Sequence, residues 1–418
     1  MRIALLGCGN IGSALARVLS QWAGAEVCAA LVRTPGRARP VPAGTVVQNV
    51  QQVLDARPHI AVECLGGVQF AAQACCQLLE AGVHVVSANK SMVAHALPAL
   101  SAAAQRTGAH LRFDAAVCAG VPVLDSLARL RPAQVRSVSG IVNGTCNVVL
   151  QGMAQRSLSH AQALAEAVSA GYAEPDATAD ISGRDSAEKL CLLAAAAGLG
   201  SIHPQDVETH GITHLDRAAL ADVRTLGGAV RLLAHVNAAG GAPPLVAPTV
   251  VPPSGPFART TGTQSLVRVQ TELAGIVTLS GPGAGANPTV AALLADILAC
   301  SAGQPSWAAA LAAGAPAAPA TAPPAALGAG AAASLVAASP ATWLLRVPHE
   351  GRTLAPATLG PLLQAAGATW LGGSFLPGRA LVQVRLASGT ISAALRHLQE
   401  AGYPAQHLAV AEDAALWF

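Results

Sequence analysis

Residues 171–190 read GYAEPDATADISGRDSAEKL, and the carboxylates Glu174, Asp176, Asp180 and Asp185 precede Lys189 there in a chain with only 11% charged residues. Asp185 and Lys189 are spaced i, i+4, so they share one face of a helix that continues as the apolar run 190–197. A polar end on a buried helix can hold an ammonium near a carboxylate inside a cleft. An ordinary helix N-terminus with one ion pair, worth about 0.3–0.5 kcal/mol, accounts for Asp185 and Lys189. It does not account for Glu174, Asp176 and Asp180 in the loop before them. A second lysine, Lys90, is one of very few in the chain and closes VSANK, residues 86–90, with Ser87 beside it. This segment ends an expected strand, where open α/β sheets bind ligands.

Gly7, Gly9 and Gly12 satisfy G-x-G-x-x-G between an expected strand and an expected helix, with Asn10 and Ile11 inside the motif. The glycines permit a tight turn and close approach of a pyrophosphate, which the free amides and dipole of the helix N-terminus attract. The second strand runs into LVRTPGRAR without the Asp or Glu that would bind a ribose diol. Arg33 stands there instead, followed by Arg37 and Arg39, and guanidinium groups suit a 2′-phosphate. NADP is favoured, with NAD left open; for Arg37 and Arg39 a solvated basic loop is the alternative.

Placing these residues requires a sheet. Short β-rich runs at 2–6, 26–32, 45–47, 59–64, 84–87 and 110–113 alternate with helical runs at 11–22, 50–56, 70–80 and 93–105, the signature of βαβ units and a parallel sheet. The fold class expected is α/β: a Rossmann-type doubly wound parallel sheet over 1–130, then an α+β domain over 131–300. Helices are expected there at 158–170, 186–197, 226–234 and 289–299, and strands at 135–142, 245–251, 266–271 and 275–280. An uncharged Ala/Pro/Gly-rich stretch over 301–340 reads as a linker rather than a membrane helix. Beyond it, 341–418 reads β, α, β, α.

The whole chain has 418 residues, 52% hydrophobic and 3% aromatic, so it can bury a core without disulfides. A net charge of +3 without basic blocks gives no nucleic-acid footprint. The nine cysteines show no CxxC pair and read as small buried hydrophobes of a reducing cytoplasm. His203, His210 and His214 have no carboxylate partner in their spacing and read as packed or exposed histidines.

Taken in order, GCGNIG, SANK, NGTCN (143–147), GYAEPD and the set Asp180, Gly183, Asp185 and Lys189 on D-x-x-G-x-D-x-x-x-K resemble the homoserine dehydrogenases, over about residues 1–300. The resemblance implies NADP-dependent interconversion of L-homoserine and L-aspartate 4-semialdehyde in threonine, methionine and isoleucine biosynthesis. It implies substrate binding by Glu174, Asp180, Asp185, Gly144, Thr145 and Tyr172. A substrate ammonium wants a carboxylate, and hydride transfer needs a proton donor or acceptor at the same oxygen. With no zinc spacing and no suitably placed His, Lys189 ranks first for that role, and Lys90 is its partner in binding or proton transfer.

FDAAVCAGVP, residues 113–122, resembles the family's sodium loop, which implies backbone ligands at Asp114, Val117, Ala119 and Val121; Asp114 stands where the family usually has Glu. A Gly/Pro turn after a strand is the alternative. GPGAGANPT, residues 281–289, resembles a loop beside the cofactor, with Gly285 as the contact. The C-terminal segment resembles an ACT regulatory domain but departs from it at PHEGRTLAP, residues 348–356, where an Asp-Arg-Pro-Gly-like loop is expected. A cytoplasmic homodimer or homotetramer follows from the resemblance, with no membrane or nucleic-acid partner. The competing readings are another Rossmann dehydrogenase of an amino-acid alcohol and a cofactor-binding or amino-acid-sensing paralogue without turnover.

Overall fold

Short aliphatic runs become strands buried on both faces, as a parallel sheet flanked by helices requires. These are β1 (Arg2–Leu6), β2 (Glu26–Leu31), β3 (Val46–Val47), β4 (Ile60–Glu63), β5 (His84–Ser87) and β6 (Leu111–Arg112). They pair in the order β3-β2-β1-β4-β5-β6, all parallel, so the strand order reverses between β1 and β4. A doubly wound sheet of this order binds dinucleotides at that reversal, outside the carboxyl ends of the strands. The computed structural model describes residues 1–238, 243–304, 306, 308, 342–348, 356–365, 368–376, 379–386, 391–401, 403 and 405–410. The expected linker, apart from its first residues and Ser306 and Ala308, and residues 349–355 of PHEGRTLAP lie outside this set.

The chain divides into two units, and three segments make the first: Met1–Val138, Ala187–Val207 and Gln264–Ala325. Besides the parallel sheet it holds an antiparallel hairpin, Gln264–Thr271 with Gly275–Pro282. It also holds helix Ala286–Ser301, whose Val290, Leu293 and Ile297 join Ile3, Leu5, Leu15, Val62 and Val86 in one buried cluster.

The second unit comprises Ser139–Ser186, Glu208–Thr263 and Ala326–Phe418. The expected helix over 226–234 is instead the start of strand Ala229–Asn237, paired antiparallel with Leu245–Val251. Its Leu and Ala favour a helix locally, but Gly227, at φ 75°, and Gly228 follow helix Arg217–Thr225. A Cβ on Gly228 would stand 2.7 Å from Val250 Cγ1, so the close approach of the neighbouring strand decides the outcome. Helix Gly144–Arg156 and strands Ala368–Leu376 and Gln406–Val410 also form without having been expected.

With those two strands the C-terminal module runs β-α-β-β-α-β, a ferredoxin-like order. Strand Thr342–Pro348 lies between Arg379–Leu386 and Gln406–Val410, and Ala368–Leu376 lies outermost. Gln406–Val410 also pairs, in parallel, with Leu245–Val251.

Polar groups fasten this module within its unit. Asp222, 4% exposed, accepts hydrogen bonds from Arg346 Nε at 3.0 Å and from Arg379 at 2.6 and 2.8 Å. His407 Nε2 lies 3.1 Å from His210 Nδ1, and its ring stacks on His214 with centroids 4.6 Å apart. His210 in turn reaches Glu208 at 3.0 Å. Two of the three histidines noted in the sequence therefore pack at this junction. All nine cysteines are free thiols. Among the described residues no helix is long and apolar enough to cross a membrane.

Burial, with the neighbouring His214 and His210, pushes His407 down to about 3, so the ring is neutral in the fold. A folded-state value below the ordinary one gives stability that is complete above the unfolded pKa of about 6.5 and is lost as pH falls toward 3. Between pH 7.5 and 5 this group alone contributes a loss of about 2 kcal/mol. The thermal midpoint of His407→Gln is expected to fall less over that range than that of the wild type; equal falls would remove His407 as the source.

Candidate functional site

In the first unit the glycine motif lies between β1 and helix Asn10–Leu19, with Gly9 as its N-cap. Gly7 has φ 95°, and a Cβ there would meet Cys64 O at 2.6 Å; on Gly12 it would meet Gly7 O at 2.1 Å. Around Gly9 nothing lies within 4 Å of where a Cβ would project. The turn is therefore tight at its ends and open in its middle. Gly9 has no side chain to cap the helix, so the amides at the head of the helix suit a pyrophosphate. Asn10 and Ile11 open that helix, and Arg33 is exposed just past the end of β2.

At the tips of β4 and β5 a buried carboxylate organises SANK. Glu63 accepts hydrogen bonds from Ser87 Oγ at 2.6 Å, Leu65 N at 2.7 Å and Asn89 Nδ2 at 3.2 Å. Burial pushes its carboxyl up, and these three donors oppose the shift. Asn89 also donates to Gly67 O at 2.8 Å and caps helix Lys90–Thr107 by accepting from Met92 N at 3.1 Å. Lys90 is the first residue of that helix, half-buried. Its neighbour Ser91 donates to Glu188 Oε2 at 2.6 Å, and Glu188 immediately precedes the half-buried Lys189.

Asp114, Val117, Ala119 and Val121 lie buried in one loop, bent by Cys118 at φ 56° and Ala119 at φ 34°. The Asp114 carboxylate accepts from Leu124 N at 2.8 Å, and burial pushes it up to about 7. The Asp114 carbonyl accepts from Val117 N at 3.2 Å and the Val121 carbonyl from Val123 N at 2.6 Å, each oxygen keeping a second lone pair. Asp296, buried beside Asp114, accepts from Asp114 N at 3.0 Å, and a buried loop offering backbone oxygens next to these carboxylates suits a hard cation. Gly120 N donates to Pro282 O at 3.1 Å, tying this loop to the segment in which Gly285, at φ 114°, is the N-cap of helix Ala286–Ser301.

In the second unit Asn143, 4% exposed, is the centre. Its Nδ2 donates to Asp180 Oδ1 at 2.7 Å and to Asp185 Oδ2 at 2.8 Å, while its Oδ1 accepts from Cys146 N at 2.8 Å as the cap of helix Gly144–Arg156. Two carboxylates thus converge on one neutral amide, which suits an added cation such as an ammonium. Gly144 allows close packing: a Cβ there would lie 3.1 Å from Thr263 Cα and Cβ. Thr145 Oγ1 donates to the carbonyl of Tyr172 at 3.1 Å, whose side chain is 53% exposed, and Glu174 is exposed in the same loop. Helix Arg184–Ala197 carries Asp185 and, one turn later, Lys189. The structure thus joins Asp180 to Asp185 and Thr145 to Tyr172, and leaves Glu174 outside the hydrogen-bonded centre. Asn143, Glu63 and Glu188 were not among the expected site residues. An Asn directly before a helix is a capping signal that singles out Asn143, whereas Glu63 lies in an apolar run that gives no such sign and Glu188 reads as one more charge beside Lys189.

Residues 122–298 match the family model of homoserine dehydrogenase, and residues 7–114 match that of the homoserine dehydrogenase NAD binding domain. The homoserine dehydrogenase of Mycobacterium leprae is 36% identical over 313 residues, 71% of this chain and 71% of its own. That of Corynebacterium glutamicum is 34% identical over 314 residues, again 71% of each. The crystal structure of a homoserine dehydrogenase from Thiobacillus denitrificans is similar with a TM-score of 0.81 and 25% identity, covering 98% of both chains. A hyperthermophilic archaeal homoserine dehydrogenase in complex with NADPH has a similar fold, with a TM-score of 0.63 and 24% identity over 73% of this chain and 99% of its own.

Replacing Gly12 with Ala places a methyl against Gly7 O, a fixed backbone atom, in the turn that the dinucleotide must approach. Gly12→Ala is expected to weaken reduced nicotinamide dinucleotide binding by about ten-fold or more, read by fluorescence titration, about 1.4 kcal/mol per factor of ten. Unchanged affinity would show that the turn does not hold the pyrophosphate.

Proposed function

Because the chain belongs to the homoserine dehydrogenase family and is an NAD(P)-dependent oxidoreductase, we propose that it works with NADP, that Asp180 and Asp185 receive the substrate ammonium, and that Lys189 moves the proton. The observation that carries this reading is the Asn143 bridge, because it fixes both carboxylates on the segment that leads, one helical turn later, to Lys189. Glu174, Tyr172, Gly144 and Thr145 complete the substrate's surroundings in the proposal.

Gly7, Gly9, Asn10, Ile11 and Gly12 would hold the cofactor, with Arg33 at the 2′-phosphate and Ser87, Lys90 and Gly285 around the rest, and when bound it would supply or accept the hydride at the substrate's C4. In the reducing direction the carbonyl oxygen of L-aspartate 4-semialdehyde gains negative charge as the hydride arrives, and the Lys189 ammonium donates a proton to it. In the oxidising direction Lys189 takes that proton back from the L-homoserine hydroxyl. Lys90 assists by binding or by relaying the proton. The backbone oxygens of Asp114, Val117, Ala119 and Val121 would hold sodium, fixing their loop. The proposal extends to an ACT-like role for the C-terminal module, to a cytoplasmic homo-oligomer and to threonine, methionine and isoleucine biosynthesis.

Lys189→Ala is expected to lower turnover with L-homoserine by roughly 10²- to 10⁴-fold while cofactor affinity stays unchanged, measured by absorbance of the reduced nicotinamide. Near-normal turnover would move the proton to Lys90 or water. Arg33→Ala is expected to raise KM for NADP by about ten- to a hundred-fold and leave that for NAD unaltered, because a charge-assisted contact is worth about 1.5–3 kcal/mol. Equal effects on both cofactors would remove Arg33 from the 2′-phosphate.

A further inference from the structure

The chain has two lysines, and the residues next to them are bonded to each other. Ser91 follows Lys90 in the first turn of helix Lys90–Thr107; Glu188 precedes Lys189 in helix Arg184–Ala197. Ser91 Oγ donates to Glu188 Oε2 at 2.6 Å, the short distance of a hydroxyl on a charged acceptor, and Glu188 is 7% exposed. All four residues belong to the first unit.

The two helices are not closely packed along their whole length. Further along, a cavity of about 180 Å³ opens between Ala94 and Leu97 on one side and Cys191, Leu192 and Ala195 on the other. Each helix also has anchors of its own. Asn89, held by Glu63 and Gly67, fixes the head of the first. The Arg131 guanidinium fixes the tail of the second by donating to Ala195 O at 2.6 Å and Ala196 O at 2.7 Å. The Ser91–Glu188 bond ties the ends that carry the lysines.

We propose that Glu188 is a positioning residue which, through Ser91, sets the separation of Lys90 and Lys189 and thereby aligns the proton donor with the substrate oxygen on the carbon that takes the hydride. This rests on the assignment of Lys189 to proton transfer. A misplacement of about 1 Å at a reacting group costs up to about a hundred-fold in rate, so a tie one residue from each lysine has leverage that a remote contact lacks. Neither Ser91 nor Glu188 needs to touch substrate.

The test compares Ser91→Ala, Glu188→Gln, Glu188→Ala and the double variant Ser91→Ala/Glu188→Ala in the full chain, with Lys189→Ala alongside. For each, kcat with L-homoserine, cofactor affinity and thermal midpoint are measured. Ser91→Ala and Glu188→Ala are each expected to lower kcat by about ten-fold with cofactor affinity unchanged, and the double variant to lose no more than the worse single one. Glu188→Gln keeps an oxygen that accepts the Ser91 hydrogen and is expected to stay within about three-fold of wild type. Additive losses, wild-type turnover in folded Ser91→Ala, or a Glu188→Gln loss as large as that of Glu188→Ala would each overturn the proposal. Full turnover in Lys189→Ala would instead remove the proton-transfer assignment; non-additivity persisting beside it would leave the tie serving Lys90.

Discussion

Two carboxylates repel each other across a short gap unless a donor lies between them, and in this protein one carboxamide does so. Asn143 gives one amide hydrogen to Asp180 and the other to Asp185, and its oxygen is committed to the first turn of the following helix. A rotation exchanging the amide's O and N would bring two oxygens against oxygen and a donor against a donor, so the orientation follows from the network itself. The short helix Thr178–Ile181, which holds Asp180, has further support within its unit. Ile212 N donates to Ile181 O at 2.8 Å, and at Gly211 a Cβ would stand 2.2 Å from that same carbonyl. The polarity of the site therefore depends on backbone packing that only glycine permits.

The dinucleotide unit repeats this logic with a charge in place of an amide. Glu63 gathers Ser87, Leu65 and Asn89 at the ends of two adjacent parallel strands. A buried carboxylate without donors would be expensive; with them it is a rigid hub, and it converts strand pairing into a fixed direction for the helix that Lys90 begins. The lysine's position is thereby inherited from the sheet.

The parts of this arrangement that were legible in the sequence are those written in local spacing. The glycine motif between strand and helix, the carboxylate-rich loop ahead of Lys189 and the alternation of short strands with helices all lie within a few turns of chain. What escaped is long-range. Asn143 meets Asp180 and Asp185, and Ser91 meets Glu188, only after folding brings distant segments together. The segment after Gly228 is the sharpest instance: its Leu and Ala suggest a helix, yet pairing with Leu245–Val251 makes it a strand. The C-terminal strands Ala368–Leu376 and Gln406–Val410 escaped for a related reason, since their neighbours in the sheet supply most of what defines them.

Strand Leu245–Val251 is buried along its whole length and has Ala229–Asn237 on one side. Its other side is covered piecewise, by Glu208–Thr209 at Leu245 and Val246 and by Gln406–Val410 at Thr249 and Val250. The second cover is synthesised long after the strand it protects. Until it arrives, an apolar strand presents unpaired amides and carbonyls, the configuration most open to pairing with another chain. The C-terminal module is thus also a guard against aggregation for the sheet it joins, and deleting it would expose a sticky edge.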